Sequence, residues 1–369
     1  MDRTESSESQ IPPGFDAARL DIRLGAVADN WRECSRLSGV ATAGVVKADA
    51  YGLGLAPVAL KLSGIGCDTF FVARLEEGIA LRPLVPHARI FVLDVAASSA
   101  VPALVTHRLT PVLNSLADLA CWSSPERRDA AIHIDTGMNR LGLPSAELAI
   151  LIAESKALLS GVNVVLLMSH LACADDPRHA LNKAQRDRFR AALAKLPPAP
   201  ASLASSGGVL LGRDYAFDLV RPGLGLYGGN PQPGKPNPFR MAVRLTGKIL
   251  QLRRVDGGQT VGYGASYRTG RNSTLATVAL GYADGLMRAI GNRGKASIAG
   301  KRAPIVGRVS MDLITLDVTD IPDLKPGDEA EFVGDDITLE ELAADSGTVA
   351  YEILTSLSRR AKRRYEAAR

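Results

Sequence analysis

The chain has 369 residues, 46% hydrophobic and 22% charged, with a formal net charge of +5. This is the make-up of an ordinary folded protein long enough for a barrel plus an added module, and it excludes a disordered or fibrous chain. The polar stretch Met1–Gly14 lacks the apolar core of a secretory signal, and no run of about eighteen apolar residues marks a membrane span. A cytoplasmic protein with a disordered tail over residues 1–14 is expected.

Cys34, Cys67, Cys121 and Cys173 stand far apart, with no Cys-x-x-Cys and no histidine at ligand spacing, so neither a metal site nor a disulfide frame is expected. Cys121 beside Trp122 and Cys173 beside the His170 segment read as packing residues. The basic cluster Arg359, Arg360, Lys362, Arg363 and Arg364 lacks interleaved aromatics. It reads as a solvated face and not as a nucleic-acid surface.

Along the chain, apolar runs of strand type fall near Ala43–Ala48, Thr69–Leu75, Arg89–Asp94, Thr110–Asn114, Ala130–Asp135, Val162–Ser169, Ala201–Ser205 and Asp218–Val220. Helical patterns at Ala26–Leu37, Glu76–Leu81, Leu116–Ala120, Glu147–Ala157 and His179–Leu196 accompany them, with Asn114-Ser115 and Asp176-Pro177 as helix starts. About eight repeated βα units predict an α/β chain whose residues 15–240 close into a (β/α)8 barrel. An open doubly wound sheet is the alternative. The barrel is preferred because Lys47, Arg140, His170, Ser206 and Arg221 each follow a strand, and in a barrel those ends converge on one face.

The Pro/Gly-rich stretch Gly228 to Pro238 reads as a connection, with the domain boundary near residue 240. Beyond it, strands at Val243–Val255, Thr274–Leu280, Ala296–Ile298, Ala303–Val309 and Leu313–Val318 predict a mostly-β domain over 241–369. A final helix at Tyr351–Tyr365 closes it.

Several side chains stand out. Lys47 ends an apolar strand, where desolvation would lower its pKa toward a neutral amine able to form a Schiff base; the alternative is a lysine that snorkels to solvent. Arg140, on the turn Asp135-Thr-Gly-Met-Asn-Arg-Leu-Gly142, can offer its planar fork to a phenolate or carboxylate, or pair with Asp135. His170 in Ser169-His-Leu-Ala-Cys-Ala-Asp175 is either a satisfied core residue or a ring that stacks on a flat ligand. Small residues in Ala204-Ser-Ser-Gly-Gly208 and Arg221-Pro-Gly-Leu-Gly-Leu-Tyr-Gly228 let backbone amides approach a phosphate between the last strands of a barrel. Tyr263, in Val261-Gly-Tyr-Gly-Ala-Ser-Tyr267, stands among glycines where tyrosines are often structural.

Val46-Lys-Ala-Asp-Ala-Tyr-Gly-Leu-Gly54 resembles the cofactor-lysine signature of the alanine racemases, pyridoxal-5′-phosphate enzymes built on a barrel, and the motifs above continue the match to near the C-terminus. The resemblance implies a homodimer with shared sites, in which Lys47 carries the cofactor and Tyr263 of the other subunit is the second catalytic base. It implies further that Tyr51, Ser206, Gly223 and Leu224 surround the phosphate and that His170 packs on the cofactor ring and tunes Tyr263. Arg221 would face the ring nitrogen, leaving it unprotonated and limiting side reactions. Arg140 would reach the phenolic oxygen and, with the Met311 amide, the substrate carboxylate. Asp175, Tyr282, Arg288 and Arg308 would line the entrance. The implied activity is two-base racemisation of L- and D-alanine, for peptidoglycan supply or for D-alanine breakdown.

Two departures from the family pattern matter. His133 stands where many members have a carbamylated lysine that orients the arginine, so Arg140 must be held otherwise, by His133 itself or by a bound anion. The family's final-helix tyrosine finds no match in Leu357-Ser-Arg-Arg-Ala-Lys362, which leaves a wider pocket open. The rival readings are a broader-specificity racemase or a decarboxylase on the same fold, and a non-catalytic pyridoxal-phosphate carrier. Arg221 counts against the decarboxylase, and the β domain counts against the carrier.

Overall fold

The computed structural model describes residues 16–94 and 98–366; the tail expected over 1–14 lies outside them. The apolar runs of the first half form eight short strands: β1 (Gly44–Val45), β2 (Thr69–Val72), β3 (Arg89–Val92), β4 (Thr110–Leu113), β5 (Arg128–His133), β6 (Val162–Met168), β7 (Ala201–Ser202) and β8 (Leu219–Val220). The first seven pair in chain order, all parallel, with Gly44 opposite Phe70, Phe71 opposite Phe91 and Ile132 opposite Leu167. Strand β8 closes the ring. The Arg221 amide donates to the Ala204 carbonyl at 2.9 Å on one side, and the Ala43 amide donates to the Val220 carbonyl at 2.9 Å on the other. The open-sheet alternative is thereby removed.

Phe70, Phe71, Ile90, Phe91, Val112 and Ile132 are buried, as expected of parallel strands covered on both faces. Helices Leu24–Ser38, Leu75–Leu81, Leu116–Trp122, Ser145–Ala153 and Ala180–Leu193 lie where the periodicity placed them. The Ser115 hydroxyl accepts from the Asp118 amide at 3.0 Å, the expected cap. The start expected at Asp176-Pro177 falls later: Asp176 accepts from Arg178 in the preceding turn, and His179 Nδ1 caps the helix by accepting from the Leu181 amide. Cys34 and Cys67 are buried, but Cys121 is exposed while Trp122 is buried, because successive helical residues point about 100° apart. Cys121 is therefore not the packing residue expected.

The chain divides into two compact units. Among the described residues, one comprises Ile22–Val243 with Val349–Ser356 and residues 365–366; the other comprises Arg244–Thr348 with Leu357–Arg364 and residues 16–21. The second unit is mostly antiparallel. Strand β9 (Val243–Val255) pairs with β10 (Ser273–Val278) toward one end and, past a bulge, with Glu329–Val333 toward the other. Strand β10 pairs in turn with Ile314–Asp317, and Lys295–Ile298 forms a hairpin with Lys301–Pro304.

Several elements of this unit were not read from sequence, the short strands Ala18–Arg23, Thr260–Val261 and Tyr267–Arg268 among them. Glu329–Val333 carries two carboxylates and looks like a loop, yet Glu329 pairs with Arg19 at 2.7 Å and Glu331 with Arg244 at 2.7 Å, so a strand can hold both. The helix Leu339–Ser346 is only eight residues long, capped by Thr338. The helix expected at Tyr351–Tyr365 also differs. It spans Ala350–Ser356, and the chain then returns as the strand Lys362–Glu366, since the Arg360 side chain is drawn away to Asp284 and Asp312. Among the described residues no helix is long and apolar enough to cross a membrane.

Candidate active site

Strand β1 stops at Val45, and Lys47 begins a turn with unusual backbone. Ala48, Asp49, Ala50 and Tyr51 all have φ between 52° and 56°, a left-handed helical turn of four consecutive non-glycine residues. Such residues cost roughly 1–2 kcal/mol each, so the turn stores on the order of 4–8 kcal/mol that its surroundings must offset. Part of the offset is visible. The Gly52 amide donates to the Ala48 carbonyl at 2.8 Å, the Gly54 amide to the Asp49 carbonyl at 2.8 Å, and the Leu55 amide to Asp49 Oδ1 at 2.7 Å. The buried Tyr51 ring lies 4.8 Å from Tyr227 and 6.2 Å from Tyr351. Gly52 ends the turn at φ 84°, where a Cβ would come within 2.5 Å of the Leu354 carbonyl.

The turn places Lys47 and Tyr51 on a cavity of about 660 Å³ at the strand ends of the barrel. Arg140, His170, Ser206, Arg221, Gly223 and Leu224 line the same cavity. All eight residues expected at the cofactor from this half of the chain are thus brought together. The size lies within the usual range for small-molecule sites. The Lys47 pKa is lowered by burial first and then by Arg140, with Glu77 acting the other way. The amine is therefore nearer its neutral, nucleophilic form than a solvated lysine, against the snorkelling alternative.

Arg221 is 4% exposed, and its hydrogen-bond acceptors are neutral: the Ser169 carbonyl at 2.6 Å, the Leu203 carbonyl at 3.4 Å and the Ser202 hydroxyl. Burial pushes its pKa down to about 9. The guanidinium also approaches His170 Nδ1 at 3.4 Å. Arginine can only donate, so Nδ1 is the acceptor and the imidazole carries its proton on Nε2. Burial, then Arg221 and Arg140, holds the His170 pKa well below 6.5, so the ring is neutral. Gln185, fully buried on the helix Ala180–Leu193, fixes this segment by donating to the His170 carbonyl at 2.9 Å and accepting from the Ala172 amide at 2.8 Å.

Arg140 does not pair with Asp135. That carboxylate instead accepts from the amides of Gly137, Met138 and Asn139 at 2.8 to 3.0 Å, shaping the loop. His133 lines the cavity beside it. Asn114 donates its amide nitrogen to the Leu93 and Val112 carbonyls at 3.1 and 3.0 Å, which leaves its oxygen to accept from His133 Nδ1 at 2.8 Å. The His133 proton is thus on Nδ1, and Nε2 keeps a lone pair. Burial, with Arg221 and Arg140, lowers the His133 pKa to about 4.

At the last strands, Ser206 Oγ accepts from the Gly223 and Gly225 amides, each at 3.0 Å, so its hydroxyl proton is the group left to offer a ligand. The Gly223 amide, expected at the phosphate, is turned to Ser206. A Cβ at Gly223 would lie 2.1 Å from the Tyr51 hydroxyl, so only glycine lets the phenol in.

The remaining expected residues lie elsewhere. Asp175 is on the barrel unit and contributes to raising the Tyr351 pKa, after burial. Tyr263, Tyr282, Arg288, Arg308 and Met311 are on the second unit. Tyr263 is 70% exposed and Met311 53%. Tyr282 and Met311 sit on adjacent loops, because the Tyr282 amide donates to the Ser310 carbonyl and the Ala283 amide to the Met311 carbonyl, both at 3.0 Å. Arg360 braces these loops, donating to both oxygens of buried Asp284 at 2.7 Å and pairing with Asp312.

Sequence reasoning missed Tyr351, Glu352 and Thr355, which line the cavity. Reading one long helix from Tyr351 to Tyr365 hid them; the helix-scale spacing of 351, 352 and 355 on a seven-residue helix was the available signal. Tyr351 supplies an aromatic hydroxyl from the last helix, upstream of the segment where one was sought.

A closed barrel in which a buried amine after the first strand and a buried arginine after the last share one cavity defines a barrel protein with a small-molecule site at its strand ends. Residues 22–231 match the family "Alanine racemase, N-terminal domain", and residues 242–365 match "Alanine racemase, C-terminal domain". An alanine racemase of Rhodospirillum rubrum is 47% identical over 95% of this chain and 96% of its own. A catabolic alanine racemase of Agrobacterium fabrum is 46% identical over 96% of this chain and 94% of its own. The crystal structure of alanine racemase from Bartonella henselae with covalently bound pyridoxal phosphate superposes with a TM-score of 0.90, at 38% identity, over 95% of this chain and 99% of that one. The chain belongs to the alanine racemase family and is an isomerase.

Proposed function

We propose that the protein interconverts L- and D-alanine with pyridoxal 5′-phosphate held on Lys47, using Lys47 and Tyr263 of a second copy as opposite bases. The observation that carries this reading is the lowered Lys47 amine sharing one cavity with Arg140, His170, Ser206 and Arg221. The donor set suits the cofactor: an amine for its aldehyde, Tyr51, Ser206 and the small residues about Gly223 and Leu224 for its phosphate, and Arg221 for its ring nitrogen. Bound there, pyridoxal phosphate would supply an aldehyde for the amino group and a ring able to delocalise negative charge from Cα.

Arg221, already a cation with neutral acceptors, keeps its protons and does not protonate the ring nitrogen. Arg140, with no carboxylate partner among the described residues, is available to the substrate carboxylate together with the Met311 amide of the second copy. Lys47 Nζ moves a proton on one face of Cα and Tyr263 Oη on the other, Lys47 serving the D-isomer and Tyr263 the L-isomer. His170, neutral with Nε2–H, can donate to the Tyr263 oxygen and orient it. Positioned groups of this kind supply about 10²–10⁴-fold in rate.

The exposure of Tyr263 and Met311 supports a homodimer in which each copy completes the other's site, with Asp175, Tyr282, Arg288 and Arg308 at its entrance. The four cysteines are free, which supports a reducing, cytoplasmic setting. The product serves cell-wall supply, or the enzyme consumes D-alanine.

The test is borohydride treatment of the purified protein followed by peptide mass analysis, then L-alanine in deuterated water followed by circular dichroism and proton NMR. Label on Lys47, decaying ellipticity and exchange at Cα support the reading. Cofactor uptake without loss of handedness would turn attention to other amino acids or to the carrier reading.

A further inference from the structure

Glu77 belongs to none of the motifs read from the sequence, yet it touches the backbone next to Lys47. It is the third residue of the helix Leu75–Leu81. One oxygen, Oε2, accepts from the Ala73 and Arg74 amides at 2.7 and 3.1 Å, the ordinary reach of a glutamate back to the start of its own helix. The other, Oε1, crosses to the neighbouring segment and accepts from the Ala48 amide at 2.6 Å.

That amide is where the chain enters the left-handed turn: Ala48 has φ 52° and ψ 52°, directly after Lys47. Ala48 is exposed, so water could take its N–H. A fixed acceptor from the next βα unit takes it instead. At the far end the turn is held by Gly52 and by Tyr51 against Tyr227. A conformation that L-residues disfavour persists only where its surroundings over-determine it, and Glu77 is the side-chain acceptor at its entry. The turn separates Lys47 from Tyr51, so its shape decides how the amine and the phenol face one cavity.

We propose that Glu77 is a positioning residue for Lys47. Its carboxylate bridges the end of β2 and the first amide after Lys47, keeps the turn left-handed, and so sets the amine where an aldehyde can be captured. This rests on the reading of Lys47 as the cofactor lysine.

The test uses the full chain with Glu77→Gln and Glu77→Asp. Glutamine serves as well as glutamate in a helix-start reach, so the helix keeps its cap. With its oxygen kept on the Ala73 and Arg74 amides, it turns its amide nitrogen to Ala48, and since that nitrogen cannot accept, the Ala48 amide loses its partner. Aspartate keeps the charge but is one methylene too short to span both. The readouts are pyridoxal-phosphate affinity of the apoprotein by visible titration, visible circular dichroism of the bound cofactor, and separate kcat and KM. Both variants are expected to fold, to bind the cofactor roughly tenfold or more weakly, to show altered visible dichroism, and to lose kcat with little change in KM. A Gln variant equal to wild type in affinity, dichroism and kcat overturns the proposal, and so does an Asp variant equal to wild type, since charge alone would then suffice. Should the variants not fold, hydrogen exchange on the wild-type apoprotein decides: a protected Ala48 amide supports the proposal and one exchanging as freely as a solvated amide overturns it. A wild-type protein that takes up no cofactor on Lys47 overturns the functional reading itself. Wild-type uptake with an unchanged Gln variant overturns only the role of Glu77.

Discussion

At the scale of single residues, the barrel cavity is a cluster of bases and cations in which burial works against added charge. Lys47 is nearer neutral because it is buried beside Arg140, so Lys47→Ala should cost at least about 10³-fold in turnover. Substantial racemisation by that variant without an added amine would contradict the role. His133 and His170 are neutral because they are buried among cations. The unfolded chain protonates these rings as pH falls through their ordinary value of 6.5, whereas folded His133 does so only near pH 4. The unfolded state therefore binds more protons in that window, and stability present above it is lost as pH falls from 6.5 toward 4. The slope should approach about 1.4 kcal/mol per pH unit for each ring, read as falling urea midpoints. A His133→Gln variant should show a shallower slope, and level midpoints in the wild type would contradict the burial argument.

At the scale of elements, short strands end early and loops do the positioning. The turn after β1 is the clearest instance, since its hand is imposed by neighbours and not by its residues. Gly52→Ala would put a Cβ against the Leu354 carbonyl at positive φ, and should destabilise the protein by about 2–4 kcal/mol, measured by thermal or urea unfolding. In the second unit, Arg360 is the brace between the Tyr282 and Met311 loops. Arg360→Ala leaves Asp284, a buried carboxylate, without its cation, and should cost about 1–3 kcal/mol, the half-exposed arginine keeping the loss below that of a fully buried pair. A variant as stable as wild type would show that the loops hold without it.

At the scale of the whole molecule, the proposed dimer makes a prediction that single chains cannot. If each site takes Lys47 from one copy and Tyr263 from the other, Lys47→Ala and Tyr263→Phe homodimers each have two damaged sites. A mixed dimer has one site with both changes and one with neither. Subunit exchange between two inactive variants should then restore about a quarter of wild-type activity, the share expected from random pairing in a two-fold dimer. No recovery, with exchange verified by mass, would place both bases within one chain.

Much of this was legible in the sequence because the signals were local. Apolar runs with period-2 or buried-strand character, separated by helical patterns, gave the eight barrel strands within a few residues, and chemistry-bearing residues at their ends marked Lys47, Arg140, His170, Ser206 and Arg221. What stayed hidden depends on contacts distant in sequence. Glu329–Val333 is a strand because Arg19 and Arg244 neutralise its carboxylates, and the last helix stops because Arg360 is pulled to Asp284 and Asp312. The tautomers of His133 and His170 follow from which partners Asn114 and Arg221 present, and the left-handed turn follows from bonds made by neighbouring segments. The sequence by itself determined the barrel, the added β unit and the placing of an amine at the end of the first strand, since residue type and spacing carry those. The tertiary structure alone decided the hand of the turn that aims the amine and the proton positions around it, because both depend on electrostatics and hydrogen bonds between segments far apart in the chain.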